Sequence, residues 1–345
     1  MADGRGQVEG VAMTADRETG ASGFWAGRRV LVTGATGMIG SWLIKELLAA
    51  GCQVTAFVLD ADRQSELYRS RDIERVHVVL GNLEDFNALE RAVNEKEIQT
   101  VFHLGAQTIV ATAERSPRAT FETNIRGTYN LLEVCRLHRD LVEGVVIASS
   151  DKAYGEQSVL PYTEETPLSG RHPYEVSKSC ADMIAQSYHH TYQLPVVITR
   201  CGNVYGGGDL NWSRIVPGTI RSCLKNDRPV IRSDGQFVRD YIYVKDAARA
   251  YLHLAERITD ARVEGRSFNF STETPLTVLK LVQAILRLMD CEHMEPYVQN
   301  RARGEIRAQS LSSAKAREVL GWKPEYELER GLTETINWYR SFLSN

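Results

Sequence analysis

The stretch RRVLVTGATGMIGSWLIKELLAAG, from Arg28 to Gly51, leaves few folds open to this chain. Arg29 to Thr33 is a short β-branched run, and Ser41 to Ala50 reads as a helix with apolar positions at Leu43, Ile44, Leu47 and Leu48. Between them Gly34, Gly37 and Gly40 form a G-x-x-G-x-x-G turn, with Thr36, Met38 and Ile39 set among the glycines. A turn of this kind lets backbone approach a pyrophosphate, and the anion then rests on the exposed N–H groups of the helix start. A flexible glycine turn of any βα unit is the plainer reading. The strand before, the helix after and an acid beyond the next strand favour a dinucleotide.

That acid is Asp60, at the end of CQVTAFVLD. A carboxylate there accepts both ribose hydroxyls of an adenosine and repels a 2′-phosphate, which favours NAD over NADP, although Arg63 stands nearby. RVHVVLGNLED supplies a third strand, ending at Asn82 and Leu83 beside the adenine, and Phe86 to Asn94 is an amphipathic helix. TVFHLGAQT gives a fourth strand and a small-residue turn, Leu104, Gly105, Ala106 and Gln107, where backbone lies against the cofactor. A long helix from Thr120 to Arg136 carries Asn124, also assigned to the cofactor. Its apolar set (Tyr129, Leu131, Leu132, Val134), with Ala181, Ile184, Ala185 and Tyr188 of a later helix, suits core packing or a helical dimer seam.

The chemistry-bearing stretch is Ser149 to Lys178, beginning IASSDKAYG and ending HPYEVSK. Tyr174 and Lys178 stand four residues apart, on one face of a helix. A tyrosine with its free pKa of about 10 is a poor base at neutral pH, and an adjacent ammonium stabilises the phenolate. The spacing alone is weak evidence. Following Ser149 and Ser150 at the end of the apolar strand VVIASS, it suits removal of a hydroxyl proton while hydride leaves the same carbon.

After the sixth strand, LPVVITRC, the α/β alternation breaks down. Arg200, Asn203 and Tyr205 lie where the strands end at a substrate crevice, and the following segments read as a helix, a short hairpin and a return to helix. The closing residues from Glu305 read as two amphipathic helices around GWKPEY. These parts bring Arg214, Arg232, Arg239 and Arg303, of which Arg239 in VRDYIYVKD best suits a diphosphate, since arginine chelates phosphate oxygens bidentately. The expected architecture is α/β: a Rossmann-type doubly wound parallel sheet over 24–200, with 241–272 returning to it. Residues 201–240 and 273–345 form a smaller α/β substrate-binding lobe, and 1–23 a disordered tail.

Bulk properties exclude other classes. The formal net charge of −3 gives no footprint for nucleic acid or an anionic membrane surface. No apolar run approaches the roughly 18 residues a membrane helix needs, and the polar N-terminal segment lacks an apolar signal core. The six cysteines show neither CxxC nor zinc spacing, so reduced thiols in a cytoplasmic protein without a bound metal are expected.

TGATGMIG, HLGAQ, SSDKAYG, YEVSK, RCGNVYGGGD, VRDYIYVKD and KAREVLGWKPEY together resemble the extended short-chain dehydrogenase/reductase family, the nucleotide-sugar epimerases and dehydratases. The resemblance implies a seven-stranded Rossmann lobe, tightly held NAD, a nucleoside-diphosphate sugar bound by Gln107, Asn203, Arg214, Arg239 and Arg303, and a homodimer through a four-helix seam. The triplet Ser150, Asp151, Lys152 looks like the CDP-glucose 4,6-dehydratases and the inverting UDP-N-acetylglucosamine dehydratases. The dTDP-glucose class carries glutamate at the position of Lys152. Phe24-Trp25, the GSWL run and GNVYGGGD point the same way, whereas Met38-Ile39 and VRDYIYVKD differ from the CDP-glucose enzymes, the latter being closer to the epimerases.

The dehydratase resemblance implies that Tyr174 takes the 4-hydroxyl proton held by Ser150, Lys152 removes the C5 proton and Asp151 protonates the departing C6 hydroxyl. Lys152 must then be neutral, which calls for burial, Lys178 and the nicotinamide charge to depress its pKa. A surface Asp-Lys ion pair is the plain alternative. An NDP-sugar 4-epimerase would use the same Tyr174 and NAD, and a non-catalytic nucleotide-binding protein would need neither Ser150 nor Lys178.

Overall fold

The computed structural model of the chain describes residues 22–301 and 306–344. The strands are β1 (Arg29–Thr33), β2 (Gln53–Val58), β3 (His77–Leu80), β4 (Thr100–His103), β5 (Gly144–Ala148), β6 (Val196–Cys201), β7 (Asn203–Tyr205), β8 (Val230–Ile231), β9 (Val238–Arg239), β10 (Tyr241–Tyr243) and β11 (Ser267–Phe270), followed by β12 (Leu276–Thr277) and β13 (Tyr297–Val298). Seven of them form one sheet in the order β11-β6-β5-β4-β1-β2-β3, with all six pairings parallel. The order reverses between β1 and β4, and the glycine turn after β1 and the Leu104–Gln107 turn after β4 meet at that switch point.

Continuous apolar strands make both sheet faces cores. Val30 and Val32 of β1 point to one face, with Leu43 and Leu47 of the helix Met38–Ala49 and Tyr251 of the helix Val244–Glu256. Leu31 between them points to the other, with Leu89, Leu131 and Ala185. Trp25, 2% exposed, clasps the first core, its ring centroid 6.1 Å from Phe102 of β4 and its Nε1 donating to Glu256. Ser22 and Gly23 belong to the short helix Ser22–Trp25, two residues ahead of the boundary expected at 24; the rest of the predicted tail lies outside the described residues.

The remaining strands differ from the expected hairpin. β8 pairs with β13, β9 with β12 and β10 with β7, so none closes on its neighbour in sequence. A two-residue strand has too few ladder bonds to hold a hairpin by itself, and distant segments complete each pair. These strands and the helices Ile215–Leu224, Val278–Leu288 and Leu328–Ser344 enclose a third core around Ile220, Leu281, Ile285 and Leu332. One long helix ends the described chain, in place of two; the turn Ala316–Leu320 before it stops at Gly321, whose φ of 66° ends a helix cheaply.

The helix expected over Thr120 to Arg136 is also broken. A wide turn, Glu122–Arg126, joins Pro117–Phe121 to Gly127–Leu137. Of the suggested dimer-seam residues, Leu131, Leu132, Val134 and Ala185 are buried in the chain's own core, Ile184 and Tyr188 pack against it, and Ala181 is buried as well. Tyr129 does stay at the surface, as do Met183 and Tyr192.

Candidate active site

One cleft of about 1060 Å³ runs between the sheet's carboxyl edge and the smaller lobe. Its first half is the glycine turn. Gly34 has φ +67°, and a Cβ there would stand 2.7 Å from the Gly105 nitrogen; a Cβ on Gly40 would stand 2.2 Å from the Gly34 carbonyl oxygen. Only glycine lets the helix Met38–Ala49 start this close to β1, and no side chain caps that start. Gly40→Ala is expected to cost about 1–3 kcal/mol through overpacking and to weaken dinucleotide binding. Thermal unfolding with and without NAD checks both.

Thr36, Gly37, Met38 and Ile39 line this half of the cleft with the two glycines. Asp60 and Asn82 stand exposed on its wall beside Leu83. Arg63, three residues beyond Asp60, is exposed and is not part of the wall. Leu104, Gly105, Ala106 and Gln107 form the facing wall. Asn124, assigned to the cofactor from sequence, does not line the cleft and is 2% exposed. From the wide turn Glu122–Arg126 its amide accepts from the Gln107 N–H (2.7 Å) and donates to the Gln107 carbonyl (3.0 Å) and to Ser177 Oγ (2.9 Å). It clamps the turn that forms the wall.

Beneath the switch point lies His103, fully buried. Thr128 donates its hydroxyl to the Asn124 carbonyl (2.6 Å), so its oxygen is left to accept from His103 Nε2 at 3.0 Å. His103 Nδ1 then accepts from the Thr33 hydroxyl (2.8 Å), whose oxygen accepts from the Gly105 N–H (3.0 Å). Burial and the Lys178 charge push the imidazole from 6.5 down to about 3. The unfolded chain takes this proton first on acidification, so the stability His103 contributes is present above pH 6.5 and is lost toward pH 3. Unfolding free energies measured over that window are expected to fall, and to fall less in His103→Gln.

The reacting groups meet at the end of β5. Ser150 caps the turn Asp151–Tyr154, its Oγ accepting from the Lys152 N–H at 3.2 Å. The same hydroxyl donates to Asp151 Oδ1 at 3.1 Å, and Lys152 Nζ donates to Asp151 Oδ1 (3.1 Å) and Oδ2 (2.9 Å). Asp151 is 2% exposed. The helix Pro173–Tyr192 begins with Glu175 accepting from the N–H groups of Arg171 (2.9 Å) and His172 (3.3 Å), which fixes Tyr174 and Lys178 toward the cleft. Tyr174 hydrogen-bonds Ser150, and Lys178 Nζ donates to the Ala148 carbonyl at 2.7 Å.

Electrostatics here departs from the sequence expectation. Burial pushes the Tyr174 phenol above its ordinary value, against the opposing pull of the Ser150 hydrogen bond and the Arg214 charge. The lysine expected to lower it is itself driven down to about 8 by burial, with Asp182 opposing. Desolvating a phenolate outweighs the partners present. Lys152 is lowered as expected, through burial first, against Asp151; the neighbouring cation acting on it is Arg239, in place of Lys178.

The second half of the cleft carries Asn203, Arg214 and Arg239 on its wall. Asn203 Oδ1 lies 3.5 Å from Lys152 Nζ, and its buried Nδ2 has no protein partner. Arg214 is tied to Asp209 at 3.1 Å with its side chain 40% exposed. Arg239 is 9% exposed, and its Nη1 donates to the carbonyls of Val238 (2.9 Å) and Arg307 (3.2 Å). Arg303 lies outside the described residues. Arg200 is not in the crevice: it forms a bidentate pair with Asp182 (2.8 and 2.9 Å) under the helix Pro173–Tyr192, because β6 turns it away from the cleft. Tyr205 does reach the wall. Arg221 and Lys225 also line the cleft and escaped the sequence reading. Their spacing from Arg214, seven and eleven residues, is a helical stripe that could have revealed them. Among the described residues no cluster of histidine, cysteine or acidic side chains could hold a metal, and no helix is long and apolar enough to cross a membrane.

This geometry has counterparts. The chain is 30% identical over 336 residues to CDP-glucose 4,6-dehydratase of Salmonella typhimurium, covering 93% of this chain and 92% of the relative. The solved structure of UDP-glucose 4-epimerase with UDP-glucose from Thermotoga maritima superimposes with a TM-score of 0.83 at 29% identity, covering 91% of this chain and 99% of the other. That of dTDP-glucose 4,6-dehydratase from Bacillus anthracis in complex with NAD gives 0.80 at 28% identity, covering 91% and 97%. The model of the GDP-mannose 4,6 dehydratase family matches residues 31–335, from β1 to the last helix. With a glycine turn at the switch point and the Ser-Tyr-Lys set on one cleft, the chain belongs to that family, among the nucleotide-sugar dehydratases and epimerases of the extended short-chain dehydrogenase/reductases.

Proposed function

We propose that this chain is an NAD-dependent nucleoside-diphosphate-hexose 4,6-dehydratase, with CDP-glucose the first substrate to try. The observation that carries the reading is the Asp151–Lys152 pair, its carboxylate buried and its ammonium half-buried, beside Ser150 and Tyr174 in one cleft. A dinucleotide fits the cradle that Cβ atoms on Gly34 and Gly40 would fill, with an uncapped helix start for its diphosphate and Asp60 for a ribose. When bound there, NAD would supply the hydride acceptor for C4 of the hexose and the hydride donor for C6, with no net redox change.

The chain's own residues manage the protons. Tyr174, entering as phenolate, accepts the 4-hydroxyl proton while Ser150 orients that hydroxyl. The C4 ketone acidifies C5, and Lys152, held below its usual range by burial, removes the C5 proton. Asp151 protonates the C6 hydroxyl, which departs as water. Lys152 gives a proton back to C5. Arg214 and Arg239 are placed to hold the diphosphate, and Asn203 the sugar beside Lys152.

A 4-epimerase is the second reading, favoured by the likeness to the Thermotoga maritima epimerase. It uses Tyr174 equally well but gives the Asp151–Lys152 pair no task. Incubation with CDP-, dTDP-, UDP- and GDP-hexoses in D₂O, followed by NMR, separates the two. A 4-keto-6-deoxy sugar with deuterium at C5 is expected; a C4 epimer without a new methyl group overturns the reading. We further infer a homodimer through the helices Gly127–Leu137 and Pro173–Tyr192, whose exposed Tyr129 and Met183 offer apolar area. Light scattering giving a monomer mass would refute it.

A further inference from the structure

On the dehydration chemistry proposed above, one turnover leaves a proton in the wrong place. Tyr174 begins as the acceptor of the 4-hydroxyl proton and ends carrying it. Lys152 takes the C5 proton and returns one to C5, so its count is unchanged. Asp151 gives its proton to the departing hydroxyl and ends ionised, while the hydride lost at C4 and gained at C6 cancels. Tyr174 is therefore one proton rich and Asp151 one proton poor. Before the next turnover Tyr174 must shed a proton and Asp151 must regain one.

We propose that Ser150 carries it: the serine hydroxyl hands its own proton to Asp151 Oδ1 and takes the phenol proton of Tyr174. Ser150 Oγ lies 3.1 Å from Asp151 Oδ1, shares the cleft wall with Tyr174 and is the hydroxyl that favours its phenolate. A hydroxyl has one proton to donate and two lone pairs to accept with. The Lys152 N–H, 3.2 Å away, fills one lone pair, and the Tyr174 hydroxyl can fill the other. The single Ser150 proton serves Tyr174 while that side chain is a phenolate and turns to Asp151 Oδ1 once it is a phenol, so that after the C4 step the hydrogen bonds can run from tyrosine to aspartate. In the transfer the Ser150 O–H bond breaks as the Asp151 O–H bond forms, and the Tyr174 O–H bond breaks as a new Ser150 O–H bond forms. No electrons change hands. Asp151 and Tyr174 are 2% and 9% exposed, which restricts direct exchange with bulk water. The ion pair with Lys152 does not alter the count. An ammonium with a carboxylate holds as many protons as an amine with a carboxylic acid, and one shift along the 2.9 Å contact interconverts them.

The inference rests on the dehydratase reading, and rapid-quench kinetics with CDP-glucose, or whichever hexose nucleotide the wild-type protein dehydrates, tests it. In Ser150→Ala the first turnover should run ahead of the rest, as a burst equal to the enzyme sites followed by a steady state slower by about 10-fold or more, the scale of a lost proton transfer. Added imidazole buffer, a proton carrier, should raise that steady state and leave the burst alone, and Ser150→Thr should show no burst. Ser150→Gly, which helix caps tolerate, serves as the second hydroxyl-free variant if the alanine variant does not fold. Equal slowing of first and later turnovers without buffer rescue would confine Ser150 to the C4 step and overturn the relay. Absence of any 4-keto-6-deoxy product from the wild-type protein is a different result, and sinks the dehydratase reading itself.

Discussion

Tyr174→Phe is expected to lower turnover of the sugar nucleotide by about 10²- to 10⁴-fold, the usual worth of a positioned general base. The effect should fall on the chemical step. The ring sits 9% exposed between Ser150 and the cleft, and phenylalanine keeps its volume, so the fold and the glycine-turn dinucleotide site should survive. Burial holds the phenol above its ordinary value, and the phenolate is the reactive form, so wild-type turnover should rise with pH on its alkaline side. That limb should be missing from what activity Tyr174→Phe retains. Turnover across pH, with NAD binding followed by fluorescence, checks both parts. Full activity in the variant would detach Tyr174 from the chemistry altogether.

The parts of the fold that could be read in advance were those where backbone geometry dictates residue type. Gly34 and Gly40 had to be glycine because neighbouring main chain stands within 3 Å of where a Cβ would go. The β-branched run of β1 and the four-residue step from Tyr174 to Lys178 are likewise local signals. What escaped depends on contacts distant in sequence. Arg200 has the position of a crevice residue and is claimed instead by Asp182 from a neighbouring helix. Asn124 has the chemistry of a ligand-binding amide, but the wide turn that carries it aims it at the Gln107 backbone. The direction of the Tyr174 shift turns on burial, a property of the assembled site, so counting the lysine beside it gave the wrong sign. The short strands of the smaller lobe found partners far along the chain, where local turn chemistry carries no signal.

Lys152 is where dehydration and epimerisation part, so its replacement should separate the two halves of the reaction. In Lys152→Gln, oxidation at C4 should persist, seen as NADH absorbance on adding the sugar nucleotide, while methyl formation falls by about 10²-fold or more. Glutamine keeps an N–H donor for Asp151 but cannot accept the C5 proton. The choice of variant matters because Asp151 is 2% exposed with Lys152 as its cation. Alanine would leave a buried carboxylate unpaired, at a cost of about 3–5 kcal/mol, and its loss of activity could then be a loss of fold. Burial and Arg239 hold the Lys152 ammonium below its usual range, so the amine needed for the C5 step becomes available as pH rises. Wild-type deuterium incorporation at C5 should increase accordingly, and the little that the glutamine variant shows should not rise with pH. If methyl formation continues undiminished in Lys152→Gln, another group removes the C5 proton. The Asp151–Lys152 contact would then be an ion pair that only shapes the turn after β5.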